Sequence, residues 1–200
     1  FYTILPLFVG SLLMAVTLKP GVSRKNREGL DNPKPHQLFL GHYGVFGVIA
    51  LLQSTFSLGG NLLFLHVQAV HPWLFMLAGW TSSLVFSFFT YTMVASFGNI
   101  GKAIGVLVLV AQISGSNGAY PLVVLPKIIS DISPFLPATH SIVALRAAIA
   151  GIYNNDYWHA LGSLLLFLIP LLLIGLVLRI PLVKFNKWYV AKVESTKVIS

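Results

Sequence analysis

Cysteine is absent from this chain of 200 residues. No disulfide and no thiolate metal site can be built, and redox chemistry is silent on the compartment. Charge is scarce as well. Only 9% of residues are charged, against about a quarter in ordinary globular domains. Between Lys34 and Lys102 the chain carries no Asp, Glu, Lys or Arg at all. A soluble domain needs charge to keep its surface wet, so this gap excludes one. A bilayer demands the gap, because a charged side chain near its centre costs about 2.5–3.5 kcal/mol on insertion scales. Catalytic signatures are missing too. There is no H-E-x-x-H and no G-x-S-x-G, which removes support for metalloprotease and serine-hydrolase chemistry. The run Phe97-Gly98-Asn99-Ile100-Gly101-Lys102-Ala103 fails as a phosphate loop. Ser96 stands where its first Gly belongs, and Ala103 replaces the Ser or Thr after the lysine. No enzyme activity and no cofactor are expected.

Hydrophobic residues make up 56% of the chain and the mean hydropathy is +0.83. The chain reads as an all-α polytopic membrane bundle. Spans fit at residues 1–18, 38–65, 72–97, 102–118 and 159–178, measured against the ~20 apolar residues that cross a bilayer. Five crossings place the intervening segments on alternating sides. One side receives Lys19, Arg24, Lys25, Arg27, Lys34, Lys102, Arg179, Lys184, Lys187, Lys192 and Lys197. The other receives only Lys127 and Arg146. The positive-inside rule makes the first side, with the C-terminal tail 179–200, cytoplasmic. Tyr2, Trp73, Tyr120, Tyr153, Tyr157 and Trp158 fall at expected outer boundaries, and Trp188 and Tyr189 at the inner one, where amphipathic rings anchor. Trp80 lies inside a span and reads as a packing residue. Phe1 is hydrophobic at once with no basic n-region before it, which suits a piece of a longer protein better than a secretory signal.

The net charge of +8 does not point to nucleic acid, because the basic residues gather at helix ends instead of forming one stripe. The basic loop 19–37 reads as a linker touching anionic lipid, or as a docking surface for a cytoplasmic partner through Arg24, Lys25 and Arg27. The segment 119–158 lies outside yet is mostly apolar. Pro121, Pro126, Pro134 and Pro137 divide it into pieces near 126–133 and 139–152, the second opened by Thr139 as N-cap. Neither piece can cross, so they form a re-entrant or interfacial helical hairpin. It is either a cap on the bundle or an outer gate, with Pro126, Pro134, Pro137 and Arg146 as gate candidates.

No carboxylate lies inside any span, which removes the usual relay of proton-coupled pumps. The polar residues within the spans are Gln53, Asn61, Gln112 and Asn117. Their ordinary role is interhelical hydrogen bonding, and the alternative is lining a path. The six histidines are scattered, so no metal set is expected. Glycines recur at Gly41, Gly44 and Gly47, and at Gly98, Gly101 and Gly105, intervals that let helices approach closely.

Three stretches carry a resemblance. They are Leu65-His66-Val67-Gln68-Ala69-Val70-His71-Pro72, then Ala95 to Ala103, and then Pro121 to Pro126 running on to Ser133-Pro134-Phe135-Leu136-Pro137 and Ala144-Leu145-Arg146. With them the chain resembles the C-terminal membrane domain of the YhgE/Pip family, bacterial proteins related to phage-infection proteins and to a type VII secretion component. The resemblance implies an ABC-2-type permease-like fold of six spans, with two short re-entrant helices before the last, so the first span would be missing here. It further implies a bacterial cytoplasmic-membrane location and a homodimer acting in export. A separate cytoplasmic ATPase would dock on 19–37. The alternative it implies is a membrane anchor that transports nothing and holds an extracellular domain used as phage receptor or secretion scaffold.

Overall fold

The computed structural model describes residues 1–18 and 35–178. Every regular element among them is helical: α1 (Ile4–Thr17), α2 (Pro35–Leu63), α3 (Pro72–Phe97), α4 (Asn99–Gly115), α5 (Lys127–Ile132), α6 (Pro137–Ala150), α7 (Asp156–Leu166) and α8 (Leu168–Leu173). Short 3₁₀ turns at Leu122–Val124 and Ser133–Phe135 precede α5 and α6, and a π-helical turn, Ile174–Leu178, follows α8. Three helical stretches are long and apolar enough to cross a membrane: α2, α3 and the run from Asp156 to Val177. The pair α5 and α6, bent by 78°, counts as a fourth if taken as one broken span. At 14 residues α1 is shorter than the ~17–25 residues of a crossing, and α4, at 17, sits at the lower limit.

The bundle is built around α3, which packs against α1, α2, α4, α6, α7 and α8. Its buried positions are small or polar to an unusual degree: Ser82, Ser83, Ser87, Thr90, Thr92 and Ser96 are all inaccessible. Small side chains let neighbouring helices approach, and their hydroxyls reach carbonyls across the contact. Ser83 donates to the Ala50 carbonyl at 2.8 Å, Thr90 to Ser11 at 3.1 Å, and Tyr91 to Phe39 at 2.8 Å. In the opposite sense Tyr43 of α2 donates to Leu84 at 3.0 Å, and Tyr157 of α7 to Leu74 at 2.8 Å. Trp80 Nε1 reaches Thr55 Oγ1 at 2.9 Å, the packing role expected of it.

Two hydrophobic clusters divide the bundle along its length. The first joins Ile4, Leu7 and Phe8 to Leu58, Phe75, Ala148, Tyr157 and Leu161. The second joins Met14 and Ala15 to Phe39, Phe46, Tyr91, Val94 and Leu171. The chain therefore passes between the two clusters in alternating directions along α1, α2, α3, α4 and the α7–α8 run. Phe1, the 66–71 loop and the hairpin segment share the first end. There the His71 N–H bonds the Ala148 carbonyl at 3.0 Å and Val70 bonds Ile149 at 3.2 Å, filling carbonyls that the C-terminus of α6 leaves open. Segments 19–34 and 179–200 are flanked by residues of the other end. Arg24, Lys25, Arg27, Trp188, Tyr189 and nearly all the basic residues that set the expected orientation lie outside the described residues.

Among the expected boundary aromatics, Tyr2, Trp73, Tyr120, Tyr153 and Trp158 are exposed. Tyr157 is a correction. It is fully buried, and its hydroxyl ties α7 to α3 instead of anchoring at an interface.

The turn from α3 to α4 is as short as a turn can be. Gly98 adopts φ +60, a conformation that side chains avoid, and α4 starts at the next residue. Gly101 then lies against the Met93 carbonyl, where a Cβ would overlap backbone atoms. At Gly41 a Cβ would meet nothing within 4 Å. Gly101→Ala is therefore expected to destabilise the protein by about 1–3 kcal/mol, while Gly41→Ala is neutral or stabilising by up to about 1 kcal/mol. Thermal unfolding of the two variants in the same detergent checks the contrast.

Candidate functional site

The segment between α4 and α7 is the least regular part of the described chain and holds the expected gate residues. Prolines set its geometry. Pro126 immediately precedes α5, Pro134 sits in the 3₁₀ turn, and Pro137 opens α6 at its first helical position, where a missing N–H costs nothing. Thr139 does not cap α6. It lies inside the first turn, and its hydroxyl donates back to the Ser133 carbonyl at 2.8 Å, closing the bend between the two helices. His140 Nε2 bonds the Pro134 carbonyl at 2.9 Å in the same bend. A carbonyl only accepts, so Nε2 carries the proton.

The bend lies well inside the bundle. At ~1.5 Å rise per residue, the run from His140 to the end of α6 at Ala150 is about 15 Å long. The run from Asp156 to Phe167 along α7 is about 16 Å by the same measure, and the His140 and Phe167 rings stand 5.7 Å apart. The two helices thus run similar lengths from the first end to the bend. It rests on α4, because a Cβ on Gly115 would come 2.8 Å from Leu136 and 3.4 Å from Ile129.

Arg146, on the exposed face of α6, donates to the Asn117 carbonyl at 3.1 Å, which brings one gate candidate onto one path candidate. Asn117 itself adopts φ +56, and its side chain accepts from the Leu122 N–H at 3.3 Å. Arg146 and Asp156 both line a cavity of about 280 Å³ at this end, with Val143, Ala147, Ala150 and Gly151.

The other path candidates are not brought together. Gln53 Nε2 donates to the Pro6 carbonyl at 3.0 Å and fills the space over Gly10. Asn61 donates to Thr3 Oγ1 at 2.9 Å. Both tie α2 to α1. Gln112 lies on the inward stripe of α4 with Gly101, Gly105 and Gly115, and Gly105 meets Leu12 of α1. Gly10 and Leu12 are two residues apart, about 200° around the helix. So α1 stands between the Gln53–Asn61 pair and Gln112. Gln112 Nε2 and Ser116 Oγ, one turn apart, are buried without a hydrogen-bond partner. Among the described residues no group of three or more His, Asp or Glu could hold a metal.

The buried Ser/Thr lacing of α3 and the groove between the hairpin and α7–α8 (Pro134, Phe135, His140, Ser163, Leu166, Phe167, Pro170) escaped sequence reasoning. Serine and threonine are common in apolar helices whatever they do. Only Pro170, inside an otherwise unbroken apolar run, signals a break there.

Comparison with known proteins gives one relationship. The chain is 29% identical over 163 residues to "Uncharacterized protein YhgE" of Bacillus subtilis (strain 168), across 80% of this chain and 20% of that protein. The chain thus spans about a fifth of the length of that curated relative. No protein-family model matches, and no solved structure does.

The two kinds of polar residue respond differently to substitution. Asn61→Ala removes an interhelical bond and is expected to cost about 0.6–2 kcal/mol. Gln112→Leu removes a buried donor that has no partner and is expected to leave stability unchanged or higher. Unfolding midpoints of both variants in one detergent measure this.

Proposed function

We propose that the chain is the membrane-embedded, permease-like part of a YhgE/Pip-type cell-envelope protein, crossing the bacterial cytoplasmic membrane five times and acting in export. What carries the reading is the pair α5 and α6, an apolar helix pair bent by 78°, with α6 running about 15 Å from the bend to the first end, less than the ~30 Å of a hydrocarbon core. Apolar outward faces support embedding: Val45, Val48 and Leu52 on α2, Val106, Leu107 and Val110 on α4, and Leu165, Ile169 and Leu173 on α7–α8 are exposed. The alternating passages between the two clusters support five crossings, with α1 entering from the first end and α4 topped by the hairpin. The similarity to YhgE agrees with the family resemblance. In this reading two copies form the path, the hairpin with Pro126, Pro134, Pro137 and Arg146 is the outer gate, and a separate ATPase docks through Arg24, Lys25 and Arg27.

A second reading rests on a specific observation. Gln53 and Asn61 are engaged with α1, and α1 separates them from Gln112. A bundle whose polar side chains close it suits a non-transporting anchor for an extracellular domain serving as phage receptor or type VII secretion component.

Two measurements test these readings. Because cysteine is absent, single-cysteine variants report cleanly. Asn154→Cys is expected to react with an impermeant maleimide on intact cells, and Asn99→Cys only after permeabilisation. The reverse pattern inverts the topology and ends the gate assignment. An ATPase that co-purifies with the protein and is lost from the Arg24→Glu/Lys25→Glu/Arg27→Glu variant supports export. Its absence from the unaltered protein favours the anchor.

A further inference from the structure

The groove between the hairpin bend and the last helical run has a volume of about 380 Å³, within the ~300–1,000 Å³ of small-molecule sites. Its apolar walls are Pro134, Phe135, Leu166, Phe167 and Pro170, and its polar members are His140 and Ser163. It contains no Asp, Glu, Lys or Arg. Its lips are Phe135 and Leu166, 76% and 61% exposed, so the groove opens sideways through an apolar surface. An occupant enters from hydrocarbon, not from water.

Depth and chemistry narrow the occupant. His140 lies about 15 Å from the end of α6, well below the level at which phospholipid head groups meet water. The bond from Nε2 to Pro134 leaves Nδ1 as the ring's remaining polar atom. The Ser163 hydroxyl makes no hydrogen bond among the described residues. The Leu166 carbonyl loses its regular helical donor because residue 170, four positions on, is proline. The groove thus combines a serine, a histidine and the helix break at Pro170, all without a charged residue. A charged head at that depth would lack a counter-charge. A neutral hydroxyl both donates and accepts, and fits the set.

We propose that this groove binds a neutral long-chain lipid bearing a hydroxyl group, its hydroxyl held between His140 and Ser163 and its chain lying along Phe135, Leu166, Phe167 and Pro170. The inference rests on the membrane-embedded reading above and is independent of export.

The test is photolabelling of the full chain in phospholipid nanodiscs, with labelled residues mapped by mass spectrometry. One probe is a long-chain primary alcohol carrying a mid-chain diazirine. The other is phosphatidylglycerol carrying the same diazirine chain. The alcohol is expected to label Phe135, Leu166 and Phe167 about fivefold more than Val48 and Leu52 on α2, the factor that one net hydrogen bond supplies. That excess is expected to vanish in Ser163→Ala and His140→Leu, with unfolding midpoints showing that both variants remain folded. Equal labelling of groove and α2 by the alcohol overturns the proposal. So does an equal excess with phosphatidylglycerol, which marks ordinary boundary lipid, or an excess that survives both substitutions in folded protein. Labelling of neither surface overturns the membrane reading itself, whereas labelled α2 with an unselective groove overturns only the site.

Discussion

Everything in this bundle depends on how α3 satisfies its polar groups. A helix enclosed by other helices has no water to fall back on, and its hydroxyls turn to oxygens within the protein; Ser82, Ser83, Ser87 and Thr90 do so, while Thr92 and Ser96 are buried without a partner. Ser83, Thr90 and Tyr91 find theirs on the backbones of α1 and α2, while Tyr43, Trp80 and Tyr157 complete the lacing from either side. In hydrocarbon the apolar faces of two helices gain little by meeting, since lipid tails are as apolar as leucine. Specificity comes from these donors and from side chains small enough to let the backbones approach. The alternation of the chain between two hydrophobic clusters follows from α3 being the axis on which the other helices are fastened.

The hairpin is the second organising feature. A backbone that bends sharply between helices must satisfy its own polar groups, and Thr139, His140 and the 3₁₀ turn at Ser133–Phe135 do so within a few residues. Its bend sits on Gly115, and α6 returns alongside Asn117 and Gly118 to meet the 66–71 loop.

Much of this was legible in the sequence because lipid imposes coarse rules. The gap in charge between Lys34 and Lys102 contains α2 and α3, the break at His71-Pro72 separates them, and proline spacing locates the hairpin. Boundaries were less certain where side chains and not composition set them. Thr139 looks like an N-cap until Pro137 takes the first helical position and turns the threonine back toward Ser133. Tyr157 looks like an interfacial anchor until its hydroxyl is found on Leu74. Which polar residues meet could not be read, because Gln53 and Gln112 differ only in which side of α1 they face. That depends on Gly10 and Leu12, and no pattern within α2 or α4 encodes it.

The glycine contact between Gly101 and the Met93 carbonyl has a mechanical consequence. With only Gly98 between them and backbone pressed on backbone, α3 and α4 form a single stiff lever. Tilting α4 therefore drags the central axis with it. At the other end of α4, Gly115 meets the hairpin through the aliphatic side chains of Leu136 and Ile129, while α6 packs along α3 itself. A tilt of the lever therefore reaches the hairpin through two contacts, along α6 and at the tip of α4.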